Sequence, residues 1–250
     1  MLTWMPSLHQ QSKVSHMRFV RRLHYDHDVS THNIPQGIKE VRFGGKFNQS
    51  LEGMLPCSLT KLTFGFTFNQ PLKVGMLPSS LTQLKFGDSS NQELKEGVLP
   101  TTLTELTFGT SFNQPIDERV LPSSLTQLTF GSLFTQRINE GMLPSSLTQL
   151  TLADCFIQSI NERDLPTSLT QLTFGLSFNQ PINEGALPPS LTQLTFGGEF
   201  NQPMNEGVLP TQLIELTFGR CFNQPINEGV LPPSLTQLTF GHDFDQPMNV

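Results

Sequence analysis

Leu121-Pro-Ser-Ser-Leu125-Thr-Gln-Leu128-Thr-Phe130-Gly-Ser-Leu-Phe134-Thr-Gln-Arg-Ile138-Asn-Glu-Gly-Met142 is one full unit of this chain, since the order of residue types around it recurs every 22 positions. The Leu-Pro pair marks the period at Leu55, Leu77, Leu99, Leu121, Leu143, Leu165, Leu187, Leu209 and Leu231, and Ile34-Pro35 adds one step of 21. A fixed period in the twenties means one supersecondary unit stacked on copies of itself. A single unit cannot bury its own apolar face.

Working outward from Leu128, the spacing Leu125-x-x-Leu128-x-Phe130 matches the strand segment of a leucine-rich repeat. Leu128 and Phe130 alternate onto one side, so they point into the core and Thr129 faces out. Gly131 is expected to end the strand by adopting a positive φ at the corner, as are Gly65, Gly87, Gly109, Gly175, Gly197, Gly219 and Gly241. Phe47, Phe68, Phe112, Phe134, Phe156, Phe178, Phe200, Phe222 and Phe244 follow the corner and predict a phenylalanine column through the core, broken at Ser90. The returning stretch Pro181 to Pro189 has prolines at both ends and Gly185 inside, which excludes a helix of several turns and predicts an extended or 3₁₀ course. The expected fold is mainly β: a leucine-rich-repeat-like right-handed solenoid with one parallel sheet of about eleven strands and little or no helix on the returning side.

After each column phenylalanine come Asn and Gln, as in Asn113-Gln114, and the Gln recurs in all ten units. Amides stacked at strand spacing satisfy one another along the stack, so these are read as structural glue and not as a site. Phe178-Asn179-Gln180-Pro181-Ile182 and the following Leu-Pro-x-Ser-Leu-Thr-x-Leu-Thr-Phe-Gly resemble the FNIP-repeat family, a leucine-rich-repeat-like group of slime-mould amoebae and giant DNA viruses. The resemblance covers residues 34–250, with Gln180 and Gln224 standing where the family's name has Ile. It implies a protein-interaction module, and, for members that carry an F-box before the repeats, an adaptor of ubiquitin ligases. Only 33 residues precede the repeats here, too few for that domain, so the implied role is substrate recognition without an F-box of its own.

Composition sets further bounds. Residues 1–33 are expected to form an N-terminal segment whose part from about 17 to 33 is a degenerate capping coil, because Val20-x-x-Leu23-x-Tyr25 copies the strand spacing without Phe-Asn-Gln after it. Residues 34–250 make ten tandem repeats. The net charge is −6; residues 1–33 contribute +2, which leaves −8 on the repeats and argues against nucleic acid as a partner. There is no apolar run of the ~20 residues that a membrane span needs, and Lys13, His16 and Arg18 interrupt any secretory h-region. Cys155 and Cys221 lie at equivalent positions three coils apart, ~14 Å at strand spacing and beyond disulfide reach, which points to a reducing, intracellular and cytoplasmic setting.

No catalytic set is defensible, because the recurring Ser and Asp residues have no partner base and His242 is isolated among the repeats. The expectation is no enzyme, no cofactor and no metal. His24-Tyr25-Asp26-His27-Asp28 matches no standard metal spacing, and the column Glu96, Glu118, Glu140, Glu162, Glu184, Glu206, Glu228 lacks the Gly-Gly-x-Gly-x-Asp pattern of calcium solenoids. The outward Thr and Gln columns, Thr129 and Gln127 among them, leave a structural or ice-type surface-binding solenoid as the alternative function. The preferred reading is a protein-interaction solenoid whose specificity lies just after the corner glycine, where otherwise near-identical coils differ. The candidate partner-binding residues are Phe66, Asp88, Thr110, Ser132, Asp154, Leu176, Glu199, Arg220 and His242. End-to-end self-association is also expected, through a C-terminal edge formed by Leu235, Leu238, Phe240 and Phe244.

Overall fold

The computed structural model describes residues 22–25 and 34–247. Eleven strands run through them: β1 Arg22–Tyr25, β2 Glu40–Phe43, β3 Lys61–Thr63, β4 Gln83–Lys85, β5 Glu105–Thr107, β6 Gln127–Thr129, β7 Gln149–Thr151, β8 Gln171–Thr173, β9 Gln193–Thr195, β10 Glu215–Thr217 and β11 Gln237–Thr239. They form one sheet in chain order, parallel throughout. The register is unshifted, with Leu128 opposite Leu150 and Leu150 opposite Leu172. Each coil therefore places its equivalent residue beside that of the coil before, and the repeat is a β-solenoid. Of the capping coil, β1 lies among the described residues with Arg22 exposed and Leu23 buried, while residues 17–21 and 26–33 lie outside them.

Strands β3 to β11 are three residues long, yet the ladder runs past their ends. Thr126 and Gln127 both donate backbone N–H to Thr104 O (2.9 and 3.0 Å), and Phe130 donates to Thr151 O at 3.0 Å. The Thr126 hydroxyl donates to the same Thr104 carbonyl at 3.1 Å, so this threonine column ties coils together instead of facing a partner. The returning side contains no 3₁₀ segment among the described residues, contrary to one of the two expected courses. It is built from hydrogen-bonded turns, with Met142 N–H on Asn139 O (3.1 Å) and Leu147 N–H on Pro144 O (3.0 Å). The physical reason is the proline and glycine spacing, which leaves each turn too short to continue.

The core holds two phenylalanine columns where the sequence predicted one. The expected column is present, with ring centroids 6.0 to 6.3 Å apart from coil to coil, as in Phe156–Phe178 and Phe178–Phe200. A second column of strand-end rings stands beside it, as in Phe174–Phe196 (5.3 Å) and Phe196–Phe218 (5.6 Å). Within a coil the two rings stack at 3.7 to 4.0 Å. Phe178 and Phe200 are 0% exposed, so each ring contributes its full burial together with offset stacking on several neighbours. At Ser90 the column opens: the hydroxyl turns onto Phe68 O at 2.5 Å and a void of about 10 Å³ remains between Phe68, Phe86 and Phe112, room for one water at most.

The corner glycines are glycines for a different reason from the one expected. None of them has a positive φ. A Cβ on Gly131 would instead lie 1.8 Å from Gly109 O, and one on Gly197 would lie 1.9 Å from Gly175 O, because the coils touch backbone to backbone at the corner. Positive φ belongs to another glycine series on the returning side, such as Gly185 at 80°, where a turn requires it. Arg119 and Arg163 occupy that position at φ 68° and 70°.

Candidate interaction surface

The residue pair after each corner forms a turn, and the turns line up as one ridge along the solenoid. Their backbones pair as the strands do: Leu133 N–H to Thr110 O (3.0 Å), Cys155 N–H to Ser132 O (2.9 Å), Ser177 N–H to Asp154 O (2.8 Å), Glu199 N–H to Leu176 O (2.9 Å). The ridge is thus a rigid rail whose side chains are free to vary. Of the nine candidate residues, Phe66, Asp88, Thr110, Asp154, Leu176, Glu199, Arg220 and His242 are exposed, and Ser132 is half-buried. Neighbouring coils cross-link in places, with Thr110 Oγ1 donating to Asp88 (3.0 Å), Ser132 Oγ to Asp154 (2.8 Å) and the Arg220 guanidinium 3.7 Å from Asp243.

Three apolar side chains are exposed on coils in the middle of the solenoid. Leu133 is 47%, Leu176 53% and Ile157 51% exposed, on three successive coils. Phe66, at 61%, stands alone toward the N-terminal end of the ridge. Sequence reasoning selected Ser132 in the sixth coil, whereas the side chain that projects there is its neighbour Leu133. It also passed over Ile157, which replaces a ladder asparagine two residues beyond the turn. The available signal was an apolar residue at a position that is polar in every other unit.

The Asn-Gln positions carry the structural role expected of them, with one refinement. Gln70, Gln92, Gln114, Gln136, Gln202 and Gln224 reach back to the asparagine of the coil before, not to another glutamine, while Gln158 donates to the Thr135 carbonyl. Asn201 Oδ1 accepts from Asn223 N–H (2.9 Å) and from Gln224 Nε2 (3.0 Å), and Asn179 Oδ1 accepts in the same way from Asn201 and Gln202. On the returning side, glutamates of the acidic column lie over the positive-φ glycine one coil on: Glu118 Oε1 comes within 3.3 Å of where a Gly141 Cβ would stand. Cys57, Cys155 and Cys221 are all free thiols. Among the described residues no helix is long and apolar enough to cross a membrane.

A parallel β-solenoid of 22-residue coils, without helices among the described residues and carrying a variable rail on a regular ladder, defines a leucine-rich-repeat-like scaffold. The FNIP Repeat model matches residues 25–67, 68–111, 112–155, 156–198, 178–221 and 222–250, and the chain belongs to the FNIP repeat family. It is similar to the giant-virus protein CroV588, whose crystal structure is described as a novel circular LRR protein structure, with 52% identity and a TM-score of 0.86. That likeness covers 90% of this chain and 34% of CroV588, so the chain spans about a third of its solved relative. A leucine-rich repeat protein from Bacteroides ovatus ATCC 8483 matches at 15% identity and a TM-score of 0.22, covering 88% of this chain and 72% of that one. Among curated proteins nothing matches.

Proposed function

We propose that this chain is a non-enzymatic protein-interaction solenoid that recognises its partner through the turn ridge. The observation that carries this reading is that Leu133 and Leu176, on a rail whose backbone is hydrogen-bonded from coil to coil, and Ile157, two residues beyond the turn of the coil between them, are all exposed. Exposed apolar groups on a rigid, otherwise polar surface mark sites that another protein covers. The adjoining Asp88, Asp154, Glu199, Arg220 and His242 supply the polar rim that sets partner choice. A role inside the cell agrees with three unpaired thiols. The test is a pull-down from host lysate with the full chain and with its Leu133→Asp/Leu176→Asp variant, read by mass spectrometry. A partner retained by the parent and lost by the variant supports the reading; partners held equally by both reject the ridge.

The same scaffold offers a stacking surface at its far end. In the last described coil Leu235, Leu238, Phe240 and Phe244 are half-buried, while the equivalent Leu213, Leu216, Phe218 and Phe222 are buried. A further coil covers such groups, whether it comes from a longer array or from a second copy. Sedimentation of the parent against Leu238→Lys measures whether copies of this chain meet there.

A further inference from the structure

From β6 to β9 the outward strand positions carry only Gln and Thr, as in Gln149 and Thr151 or Gln171 and Thr173. The first strands depart from this. Arg42 is on β2, Lys61 on β3 and Lys85 on β4, and the register sets Thr63 directly between Arg42 and Lys85, with Lys61 two residues before it on the same strand. These side chains, with Gln83 and Glu105, line a hollow of about 260 Å³ on the open face of the sheet.

The local charges do not cancel. Glu40, 7% exposed, is held by Arg22 at 2.7 Å and by Arg42 at 2.9 Å, so two guanidiniums share one carboxylate. Glu105 accepts from Gln83 Nε2 at 2.8 Å. Neither Lys61 nor Lys85 has an ion-pair partner among the described residues. Arg22, Arg42, Lys61 and Lys85 against Glu40 and Glu105 leave +2 on these outward strand positions, in a chain whose total is −6. A local excess of positive charge on an acidic protein attracts anions to that place alone. The Glu40 contact also fixes the Arg42 head, which lowers the cost of ordering it around a ligand.

We propose that the hollow over β2, β3 and β4 binds the acidic end of an extended segment of a partner protein. Two or more side-chain carboxylates sit between Arg42, Lys61 and Lys85 with the Thr63 hydroxyl as a further donor, and the polar remainder of the segment runs across the Gln and Thr columns. Those columns present neutral donors and acceptors from β6 to β9, which suits a polar chain and offers nothing to a second cluster of charge. The inference rests on the reading of the chain as a protein-binding scaffold but uses a different surface from the turn ridge.

Fluorescence anisotropy with fluorescein-labelled hexaglutamate and hexaglutamine, added to the full chain at low salt, tests it. The expected result is binding of hexaglutamate alone, weakened about tenfold or more by Lys61→Gln/Lys85→Gln and weakened in the parent by added salt. Gln171→Glu/Gln193→Glu makes the same change in net charge farther along the face and should alter affinity less than about threefold. Equal loss in the two variants, binding insensitive to salt, or no binding of hexaglutamate overturns the proposal; so does an RNA oligonucleotide bound where hexaglutamate is not. Salt dependence is read on the parent, so the outcome does not hang on the folding of a variant. If hexaglutamate binding fails while Leu133→Asp/Leu176→Asp still loses a partner, the hollow is rejected and the ridge stands.

Discussion

Coil 187–208 and coil 143–164 occupy the same place in the solenoid two turns apart, and they solve it with different side chains. The first has Phe196, Gly197, Asn201, Pro203 and Gly207; the second has Leu152, Ala153, Ile157, Ser159 and Arg163 at those positions. Their ladders are nonetheless alike, with Phe196 N–H on Thr217 O and Leu152 N–H on Thr173 O both at 2.9 Å. Leu147 and Leu191, Phe156 and Phe200 are each 0% exposed. Coil length and four or five apolar anchors therefore hold the register. The corner glycine, the ladder asparagine and the strand-end ring add stability to a geometry already set.

Core truncation in a regular stretch should have the largest effect. Phe178 is stacked on Phe156, Phe174 and Phe200 and is fully buried, so Phe178→Ala should cost about 3–5 kcal/mol in urea denaturation. Leu152→Ala, where the strand-end column is already interrupted between Phe130 and Phe174, should cost about 2–3 kcal/mol. Equal losses would mean that ring stacking adds nothing to burial and would erase the distinction between the coils.

Next comes the corner. A Cβ at Gly197 meets backbone, Gly175 O at 1.9 Å and its carbon at 2.5 Å, and backbone has no flexible end to swing away. Gly197→Ala should therefore cost about 3 kcal/mol. Thermal unfolding of Gly197→Ala unchanged from the parent would show that every corner can accept a Cβ, as the coil that carries Ala153 does. The third test runs the other way. Arg163 holds φ at 70°, a conformation that costs a side-chain-bearing residue about 1 kcal/mol, and its contacts to Glu140 and Glu162 at 3.9 and 3.8 Å are exposed and contribute little. Arg163→Gly should stabilise by about that amount; a loss would mean that the charge contacts outweigh the strain.

The strands, their register and the buried anchors were legible because Leu128 and its equivalents recur at one spacing, and an unshifted parallel sheet follows from equal coil lengths. What the corner glycines do was not. The approach of Gly109 O to Gly131 is a contact across 22 residues of chain, invisible to a local reading that knows glycine only by its φ. The cationic hollow was hidden for a related reason. Arg42 and Lys85 replace threonine in one outward column and Lys61 stands in the other, on three separate coils, and only the register brings them around Thr63. The turn ridge was legible as variation, but which turn residue projects, Leu133 and not Ser132, depends on how the turn faces.

The smallest expected effect joins stability to function at a single side chain. Ile157 stands where an asparagine would accept from the next coil, and among the described residues neither the Asn179 N–H nor Gln180 Nε2 has the partner that Asn223 and Gln224 find on Asn201. Ile157→Asn restores that acceptor and should raise stability by about 0.5–1 kcal/mol, the net value of such bonds at a half-exposed site. It also removes one of the three apolar groups exposed on coils in the middle of the solenoid, so capture of the partner that Leu133→Asp/Leu176→Asp loses should fall in the same variant. A gain in both properties would place Ile157 outside the binding surface. A loss in both would show that its side chain packs against the coils and that the asparagine ladder is dispensable there.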